Sequence, residues 1–293
     1  MTSLATPRRY LMCRPTHFAV TYRINPWMDP RAWRPEHADA ARAGSAALKA
    51  ALEAAGARVE TIGAVRSLPD LVFPANAAVV LDRRVLLARF RHLERRAEEP
   101  VFRQVFQRLQ ARGLVDEVLD LPCGVVQEGA GDAIWDADRT LFWIGYGPRS
   151  SRDSAAAIAG AFGHEAVPLE LASDRFYHLD TCFCPLAGGA LLYYPPAFTP
   201  QALAEIHARV PADRRIAASD EEAAAFCVNA VNLGPRVLMA RAPESLRQKL
   251  AVRGYSLGEI DLSPFILSGG AAYCMTLRLD RTSTPARAVL AAE

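Results

Sequence analysis

The feature that most constrains the fold is a recurring unit of two apolar runs joined by a turn. The unit occurs four times in the 293-residue sequence, and apolar runs that flank a short polar turn are typical of β-hairpins. The turns fall near Asp82, Asp138, Gly188 and Gly234. Successive turns are separated by about fifty residues, a period at which repeated supersecondary units build propellers or solenoids.

A helix-like stretch and a short apolar strand fill each interval between hairpins. The helix-like stretches are 36–55, 100–112, 152–162, 200–209 and 243–253. Several of them begin with a proline, which fits the first turn of a helix. The segments RVETI, EAVPL and IDLS are the predicted returning strands.

The two ends of the chain supply the strands that would close the repeat. YLMC near the N-terminus and YCMTLRL near the C-terminus are both typical of strands, and together they complete a fifth unit. We therefore predict one α/β domain over residues 1–293, folded as a five-bladed pseudosymmetric α/β propeller. An open α/β sheet is the alternative. The weakly patterned tail, 281–293, is expected to fray.

A short polar motif precedes or opens the first strand of every unit. These motifs are 69–76, EGAGD at 128–132, HLD at 178–180, CVN at 227–229 and GGAAYC at 269–274. If the units are related by pseudo-rotation, equivalent positions converge at one end of the central axis. The sequence thus predicts one pocket that contains carboxylates, a histidine and a thiol. Five unrelated loops are the alternative.

This set of side chains indicates covalent catalysis on a guanidinium or amidine carbon. Cysteine attacks as a thiolate, and a neighbouring cation lowers its pKa. Carboxylates match a planar guanidinium in bidentate geometry. The sequence has no metal-ligand spacing, and EGAGD lacks the continuation of a dinucleotide-binding loop, so we expect neither a metal nor a cofactor.

Individual residues also have purely structural interpretations. His178 lies among apolar residues and could be a buried, hydrogen-bonded histidine. Asp180 would share a strand face with His178 if the segment is extended, and could then orient the imidazole or bind the substrate. Cys274 by itself could be an inert buried thiol.

The other cysteines and an arginine cluster complete the candidates. We expect Cys13, Cys123, Cys182 and Cys184 in the core, whereas Cys227 occupies a repeat position that resembles that of the site residues. The arginines of segment 89–96 are expected on a solvated surface. One of them could instead bind a substrate carboxylate, and the segment is a candidate lid.

Charge and hydropathy exclude several classes of partner. Lys and Arg number 34 against 32 Asp and Glu, and a net charge of +2 is too small to attract nucleic acid. The longest charge-free stretch, 181–204, is broken by proline and glycine, and no secretory signal is evident. We expect a cytoplasmic protein that acts on a small molecule, with neither nucleic acid nor a membrane as partner. The sequence is compatible with either a monomer or a homo-oligomer.

Taken in order, the motifs resemble those of the guanidino-group-modifying enzymes, the superfamily of arginine deiminases, dimethylarginine dimethylaminohydrolases, amidinotransferases and arginine dihydrolases. The matching segments are INPWM (24–28), FPAN (73–76), EGAGD (128–132), GYG (145–147), FYHLDT (176–181), YYP (193–195), GG (269–270) and CMT (274–276). The resemblance spans nearly the whole chain.

The resemblance implies a fold and a set of roles. The fold is the five-bladed α/β propeller, or pentein. Cys274 would be the nucleophile, His178 the general acid/base and Glu128 the carboxylate that holds the guanidinium. The implied substrate-binding residues are Asn25, Asp70, Asn76, Arg95, Asp132 and Asp180, with Arg95 at the position that binds the substrate carboxylate.

The segment around Asn76 narrows the resemblance. Dimethylarginine hydrolases carry two acids where this sequence has Ala75 and Asn76. Together with Asn25, this substitution looks like the arginine dihydrolase subgroup, although Pro74 replaces that subgroup's usual threonine.

The resemblance therefore implies a hydrolase of arginine or N-methylated arginine, which yields citrulline or, after a second hydrolysis, ornithine. An amidinotransferase, in which an amine intercepts the covalent intermediate, is the first alternative. A non-catalytic guanidino-ligand binder is the second, although binding alone needs no thiol.

Overall fold

Each predicted hairpin forms two strands of a small sheet, and the computed structural model, which describes residues 7–284, contains five such sheets. The strands are β1 (Arg9–Cys13), β2 (Arg58–Ile62), β3 (Ala78–Leu81), β4 (Arg84–Leu87), β5 (Glu117–Leu119), β6 (Ala133–Asp136), β7 (Leu141–Tyr146), β8 (Ala166–Glu170), β9 (Phe183–Leu186), β10 (Ala190–Tyr193), β11 (Arg215–Ala217), β12 (Val231–Asn232), β13 (Arg236–Ala240), β14 (Ser256–Ile260) and β15 (Leu277–Arg278). Four sheets follow the order hairpin strand, hairpin strand, returning strand. In each of them the hairpin pair is antiparallel, and the third strand runs parallel to the second.

The fifth sheet joins the two ends of the described chain. β15 pairs antiparallel with β1, with Leu277 opposite Leu11, and β2 runs parallel to β1 on the other side. This sheet has the same strand pattern as the other four, with β15 in the place of a first hairpin strand. The predicted five-bladed α/β propeller is therefore confirmed, and the open sheet is wrong.

The helices connect the second strand of a blade to its third strand, or one blade to the next. They are α1 (Pro35–Ala54), α2 (Leu93–Arg96), α3 (Glu98–Ala111), α4 (Ser154–Phe162), α5 (Pro200–Arg209), α6 (Asp220–Ala224), α7 (Glu244–Ala251) and α8 (Ser263–Ile266). The five predicted helices are α1, α3, α4, α5 and α7, and their ends differ from the prediction by at most two residues. At the start of α5, the Thr199 side chain accepts a hydrogen bond from the backbone N–H of Ala202 and Pro200 occupies the first helical position, as its local sequence predicts.

Five apolar clusters hold the blades together. In one of them, Leu81 and Leu86 of the blade β3–β5 pack with Trp135 and Phe142 of the blade β6–β8. The other clusters join the remaining pairs of neighbouring blades in the same way. Full burial of one such side chain stabilises the fold by about 1.5–3 kcal/mol. The ring of clusters therefore fixes each blade against its two neighbours.

Two predicted strands and one predicted core residue are wrong. The strand predicted at IDLS is β14, which ends at Ile260, because the Asp261 side chain accepts the backbone N–H of Ser263 and starts a turn. The predicted strand YCMTLRL is reduced to β15, since residues before it form hydrogen-bonded turns. Cys123 is exposed, not in the core.

Among residues 7–284, no helix is both long and apolar enough to cross a membrane. The predicted fraying of the tail 281–293 falls mostly outside the described residues.

Candidate active site

The five polar motifs lie immediately before β3, β6, β9, β12 and β15, and hydrogen bonds join them to one another. The backbone N–H of Ala75 donates to the carbonyl of Cys274 (3.2 Å). The Asn229 side chain donates to the carbonyl of Asp180 (3.0 Å), and the Leu179 backbone N–H donates to Asp132 (2.9 Å). The motifs therefore form a single site.

Short 3-10 turns present the side chains of three of these motifs. The turns are Pro69–Val72, Pro74–Ala77, Gly129–Gly131 and Leu179–Thr181. Pro69 and Pro74 begin their turns, where a fixed φ is suited to helical backbone. Because Asp180 lies in such a turn, the extended interpretation of segment 178–180 is wrong.

Glycine is required where the second motif crosses the first. A Cβ on Gly131 would lie 2.2 Å from Nδ2 of Asn76 and 3.5 Å from the His178 ring. Gly129 has a φ of +63°, and a Cβ there would lie 2.5 Å from the backbone carbonyl carbon of Asn76. These glycines therefore make room for Asn76 in the site.

His178 is held by a carboxylate, as an acid/base residue would need to be. Its Nε2 lies 2.7 Å from Oε2 of Glu128 and 3.9 Å from Oδ2 of Asp132. Arg149 donates to the same Glu128 oxygen (3.0 Å) and lies over the Tyr177 ring. Burial alone would raise the pKa of Glu128, but Arg149 and His178 hold it well below its usual range.

Asp132 is the second buried acid beside His178. Its Oδ2 accepts the Ser150 hydroxyl (2.6 Å), and its Oδ1 accepts the backbone N–H of Leu179 (2.9 Å). Burial raises its pKa to about 6, against the opposing effects of His178 and Ser150. Glu128 therefore stays ionised at neutral pH, whereas the pKa of Asp132 lies just below neutral pH.

Cys274 lies against Asp180 and Asn229. Its Sγ donates to Oδ2 of Asp180 (3.1 Å) and accepts Nδ2 of Asn229 (3.1 Å). Oδ1 of Asn229 accepts the backbone N–H groups of Cys274 (3.2 Å) and Ala271 (3.0 Å), so this one side chain fixes both the turn and the thiol. Burial raises the pKa of the Cys274 thiol well above its ordinary value, and Asp180 raises it further.

One oxygen of Asp180 is buried without a hydrogen bond. No donor among the described residues reaches its Oδ1, although buried carboxylate oxygens are normally paired. Burial raises the pKa of Asp180 to about 7. A cationic donor that reached this oxygen would lie next to the Cys274 sulfur.

Asn76 and Arg95 form another side of the site. Nη1 of Arg95 donates to Oδ1 of Asn76 (2.8 Å), and Nδ2 of Asn76 lies 3.4 Å from Nδ1 of His178. Glu98 accepts two hydrogen bonds from Arg95, from Nε (2.9 Å) and Nη2 (2.8 Å). Burial raises the pKa of Glu98 to about 7 against the charge of Arg95.

Asn25 and Asp70 support the loop that leads to Cys274. Nδ2 of Asn25 donates to the carbonyl of Ser268 (3.1 Å), and the Ser268 hydroxyl donates to Oδ1 of Asp70 (3.0 Å). The Tyr22 hydroxyl donates to the other oxygen of Asp70 (2.9 Å), and Tyr177 donates to the carbonyl of Gly269 (2.6 Å). The nine residues to which the resemblance assigns a role thus lie in this cluster or are hydrogen-bonded to its loops, and their roles stay predictions.

Four contributing residues were not among the predicted site residues: Arg149, Glu98, Ser150 and Asn229. The repeat position of CVN at 227–229 was a usable signal for Asn229, whereas Cys227 packs in an apolar cluster and its thiol donates to a backbone carbonyl. Nothing in the sequence pattern marks Glu98, because it lies outside the five motifs. The solvated surface predicted for segment 89–96 is wrong for Arg95, which is buried against Glu98.

The buried charges of the site include an excess of acid. The carboxylates are those of Asp70, Glu98, Glu128, Asp132 and Asp180, and the guanidinium groups are those of Arg95 and Arg149. Such an excess favours binding of a cation over binding of an anion. Within the described part of the chain, no group of three or more His, Cys, Asp or Glu side chains is placed to hold a metal ion.

Enzymes that modify guanidino groups combine such a propeller with a thiol and several acids, and the chain falls in that class. A sequence model of eukaryotic N,N-dimethylarginine dimethylhydrolases matches residues 14–281. The N(G),N(G)-dimethylarginine dimethylaminohydrolase of Mycobacterium tuberculosis is 34% identical over 272 residues, which are 93% of this chain and 86% of that enzyme. The chain belongs to the dimethylarginine dimethylaminohydrolase family.

A second group of relatives consists of larger enzymes. ArgZ of Synechocystis sp., a bifunctional arginine dihydrolase/ornithine cyclodeaminase, is 41% identical over 282 residues, which are 96% of this chain and 39% of ArgZ. A crystal structure of the N-terminal domain of ArgZ with substrate bound has a TM-score of 0.89 and 40% identity, and the match covers 94% of this chain and all of that domain. The chain thus spans about two fifths of the length of ArgZ and corresponds to its N-terminal domain.

Proposed function

We propose that the protein is a cofactor-independent hydrolase of the guanidinium group of arginine, and that it acts twice on each substrate to give ornithine, carbon dioxide and two ammonia molecules. The observation that carries this proposal is the buried, unpaired Oδ1 of Asp180 beside the Cys274 thiol. A planar guanidinium cation is the group that would satisfy this oxygen and also place its carbon next to a sulfur nucleophile.

The first half-reaction forms a covalent bond to Cys274. The cationic substrate lowers the pKa of the thiol, neutral His178 takes up the thiol proton, and the resulting thiolate attacks the guanidinium carbon. Glu128 and Asp132 stabilise the imidazolium that this proton transfer forms. The imidazolium then donates the proton to the departing amine, so that the carbon–nitrogen bond breaks and an S-amidino adduct remains.

The second half-reaction returns the enzyme to its starting state. His178 takes a proton from water, and the oxygen attacks the adduct carbon as the sulfur leaves. One cycle uses one water to convert arginine to citrulline and ammonia, and a second cycle on the bound ureido group uses another water to give ornithine, carbon dioxide and the second ammonia. Asn76, which stands where dimethylarginine hydrolases carry an acid, is the residue to which we assign retention of citrulline for that second cycle.

Binding roles follow from the same geometry. We assign guanidinium binding to Asp180, Glu128 and Asp132, and substrate-carboxylate binding to Arg95. Asn25 and Asp70 keep the loop before Cys274 in place through Ser268. We further propose that residues 1–293 form one catalytic domain, since β15 and β1 close a single ring of blades. We propose a cytoplasmic location because the cysteines of the described residues are free thiols, which a reducing compartment favours.

Mass spectrometry of the products tests the proposal. Purified protein is incubated separately with arginine and with asymmetric dimethylarginine, with Cys274→Ser as the inactive variant and Cys123→Ser, at an exposed thiol, as its matched control. We expect ornithine and ammonia from arginine without accumulation of citrulline or urea.

The other outcomes contradict the proposal at different levels. Citrulline as the final product from either substrate would keep the hydrolase class but overturn dihydrolysis. A new amidino compound that appears only when an amine is added would identify an amidinotransferase. Full turnover by Cys274→Ser would overturn the covalent mechanism itself.

A further inference from the structure

The side chain of Glu98 lies behind the site and holds Arg95 from the side opposite to the reacting groups. Glu98 is the first residue of α3, and Arg95 lies three residues earlier, on α2. Both of its oxygens are engaged, at 2.9 Å from Nε and 2.8 Å from Nη2 of Arg95. Glu98 is fully buried and Arg95 is 3% exposed, so water does not compete for this pair.

The pair decides which way the Asn76 amide points. Arginine can only donate hydrogen bonds, so the Asn76 atom 2.8 Å from Nη1 is the carbonyl oxygen. The amide nitrogen is then directed to Nδ1 of His178, at 3.4 Å. With Arg95 fixed by Glu98, rotation of the Asn76 amide by half a turn would bring two donors together.

The orientation of Asn76 in turn restricts the imidazole. An amide N–H can approach only the ring nitrogen that carries a lone pair, so the neutral His178 ring holds its proton on Nε2. Nε2 lies 2.7 Å from Oε2 of the ionised Glu128, which accepts the hydrogen bond from that proton. Nδ1 is therefore the nitrogen that keeps a lone pair for a proton taken from water.

We propose that Glu98 is a positioning residue, which acts through Arg95 and Asn76 to fix the proton of neutral His178 on Nε2 and so leaves Nδ1 as the base. The consequence for turnover rests on the proposed function. The assignment of the proton does not, because it follows from the hydrogen-bond donors and acceptors alone.

Glu98→Gln removes the fork without removing the side-chain volume. A glutamine offers one acceptor oxygen, and its amide N–H groups face the donors of Arg95. Arg95 then no longer fixes Oδ1 of Asn76, and the amide can turn so that its oxygen faces Nδ1 of His178. That oxygen then competes with Glu128 for the ring proton, and a fraction of the rings carries the proton on Nδ1. Glu94→Gln is the matched control, since Glu94 lies on the same segment and is exposed.

The direct test is nitrogen NMR of the protein labelled at histidine, with His178→Gln used to assign the His178 signals. We expect one neutral form with the proton on Nε2 in the unaltered protein and in Glu94→Gln, and a mixture of the two forms in Glu98→Gln. A ring that carries its proton on Nδ1 in the unaltered protein, or one that is unchanged in a folded Glu98→Gln protein, would overturn the proposal.

Kinetics supply a second readout. For Glu98→Gln we expect kcat to fall about 10–100-fold, as for other residues that orient a reacting group, with little change in KM. Combined with Asn76→Ala, Glu98→Gln should cost nothing further, because both changes break the same chain. A rise in KM alone would show that Glu98 serves only substrate binding, and independent losses would show that it does not act through Asn76.

A replacement variant and a comparison of the NMR result with turnover distinguish the possible outcomes. If Glu98→Gln does not fold, Glu98→Asp, which keeps the charge on a shorter side chain, replaces it in the NMR test, with the two forms again expected to mix. If the unaltered protein turns over neither arginine nor asymmetric dimethylarginine, the proposed function fails, while the NMR result still decides whether Glu98 positions the ring.

Discussion

At the scale of single residues, the free site holds a thiol beside a carboxylate whose charge opposes ionisation of that thiol. The Cys274 thiol is buried against a carboxylate, so the arrangement suppresses the thiolate in the free protein. A bound guanidinium reverses that balance, since it neutralises Asp180 and lies beside the sulfur. Under the proposed function the substrate itself thus completes the activation of Cys274, and in the free protein the thiol stays protonated, the form that resists oxidation.

Asp180→Asn should separate the two effects of this carboxylate. Removal of the negative charge lowers the pKa of Cys274, so the thiolate should form at a lower pH than in the unaltered protein. Substrate affinity should fall at the same time, because the partner of the guanidinium is lost. Ultraviolet absorbance of the thiolate reports the first effect when each protein, in a Cys123→Ser background, is compared with the same protein carrying Cys274→Ser, because the difference removes the signals of the other buried thiols.

The same carboxylates should make the free protein less stable as the pH rises. Burial raises the pKa of Asp180 to about 7 and that of Asp132 to about 6, from an ordinary value of 3.8. Between about pH 4 and pH 7 the folded state therefore binds more protons than the unfolded state, and the free energy of unfolding falls as the pH rises through that window. Urea unfolding at pH 5 and pH 7.5 should show a smaller loss for Asp180→Asn than for the unaltered protein, and equal losses would contradict the raised pKa of Asp180.

At the scale of the elements, each blade contributes through the turn before its first strand. Asn229 shows how far such a turn can act, because it lies just before β12 and yet binds the thiol and two backbone N–H groups of the turn before β15. The position of Cys274 therefore depends on the neighbouring blade, from which one amide side chain makes three hydrogen bonds to the turn of Cys274.

Asn229→Ala should lower kcat and destabilise the fold together. Two backbone N–H groups would lose their acceptor in a buried turn, which costs about 1–3 kcal/mol for each group left unpaired. Asn232→Ala is the matched control: Asn232 binds only the backbone of the blade turns near Ala187 and Gly234. Steady-state rates and urea unfolding are compared for both variants, and an active Asn229→Ala enzyme would show that Cys274 is positioned without this side chain.

Gly131→Ala tests the close approach of two turns. The added Cβ would lie 2.2 Å from Nδ2 of Asn76, so Asn76 must move away from His178. We expect a loss of activity of about 100-fold, comparable to that of a misplaced reacting group. Gly160→Ala, within α4 and with open space around it, should instead stabilise the protein by about 0.5–1 kcal/mol with activity unchanged, as thermal unfolding and rate measurements would show.

The sequence predicted the elements better than it predicted their side-chain partners. Hairpins and helices were visible because apolar periodicity and turn residues are local signals. Arg149 has no such signal, since it binds Glu128 twenty-one residues away and this contact depends on the fold between them. Glu98 lies only three residues after Arg95, but the local sequence does not show that both side chains are buried. Cys123 was assigned to the core by its residue type alone, and its turn lies on the surface.

At the scale of the whole molecule, the strand pairing that closes the ring also positions part of the site. β15 begins three residues after Cys274, and its pairing with β1 holds the C-terminal end of the nucleophile's turn. The sequence predicted this closure because five repeats needed a strand from each end of the chain. It could not place the boundary of β15, since the turn of Cys274 depends on its hydrogen bonds to Asn229.

Leu277→Ala should therefore affect stability and catalysis together. Leu277 is 2% exposed and lies opposite Leu11 in the closing pair of strands. Removal of a buried leucine side chain costs about 2–5 kcal/mol, and here part of that loss is a weaker anchor for Cys274. We expect a lower midpoint of urea unfolding, and a fall in kcat under conditions in which the variant is still folded.

Leu93→Ala is the comparison that gives this result its meaning, because Leu93 is 73% exposed and should change neither quantity by more than about 0.5 kcal/mol or its equivalent in rate. If Leu277→Ala lowers stability while the folded variant keeps its full rate, then the turn of Cys274 is held by Asn229 alone and closure serves only the fold. If both fall, as the hydrogen bonds and the strand order predict, then the last blade of the propeller is the element through which the overall fold sets the reactivity of the thiol.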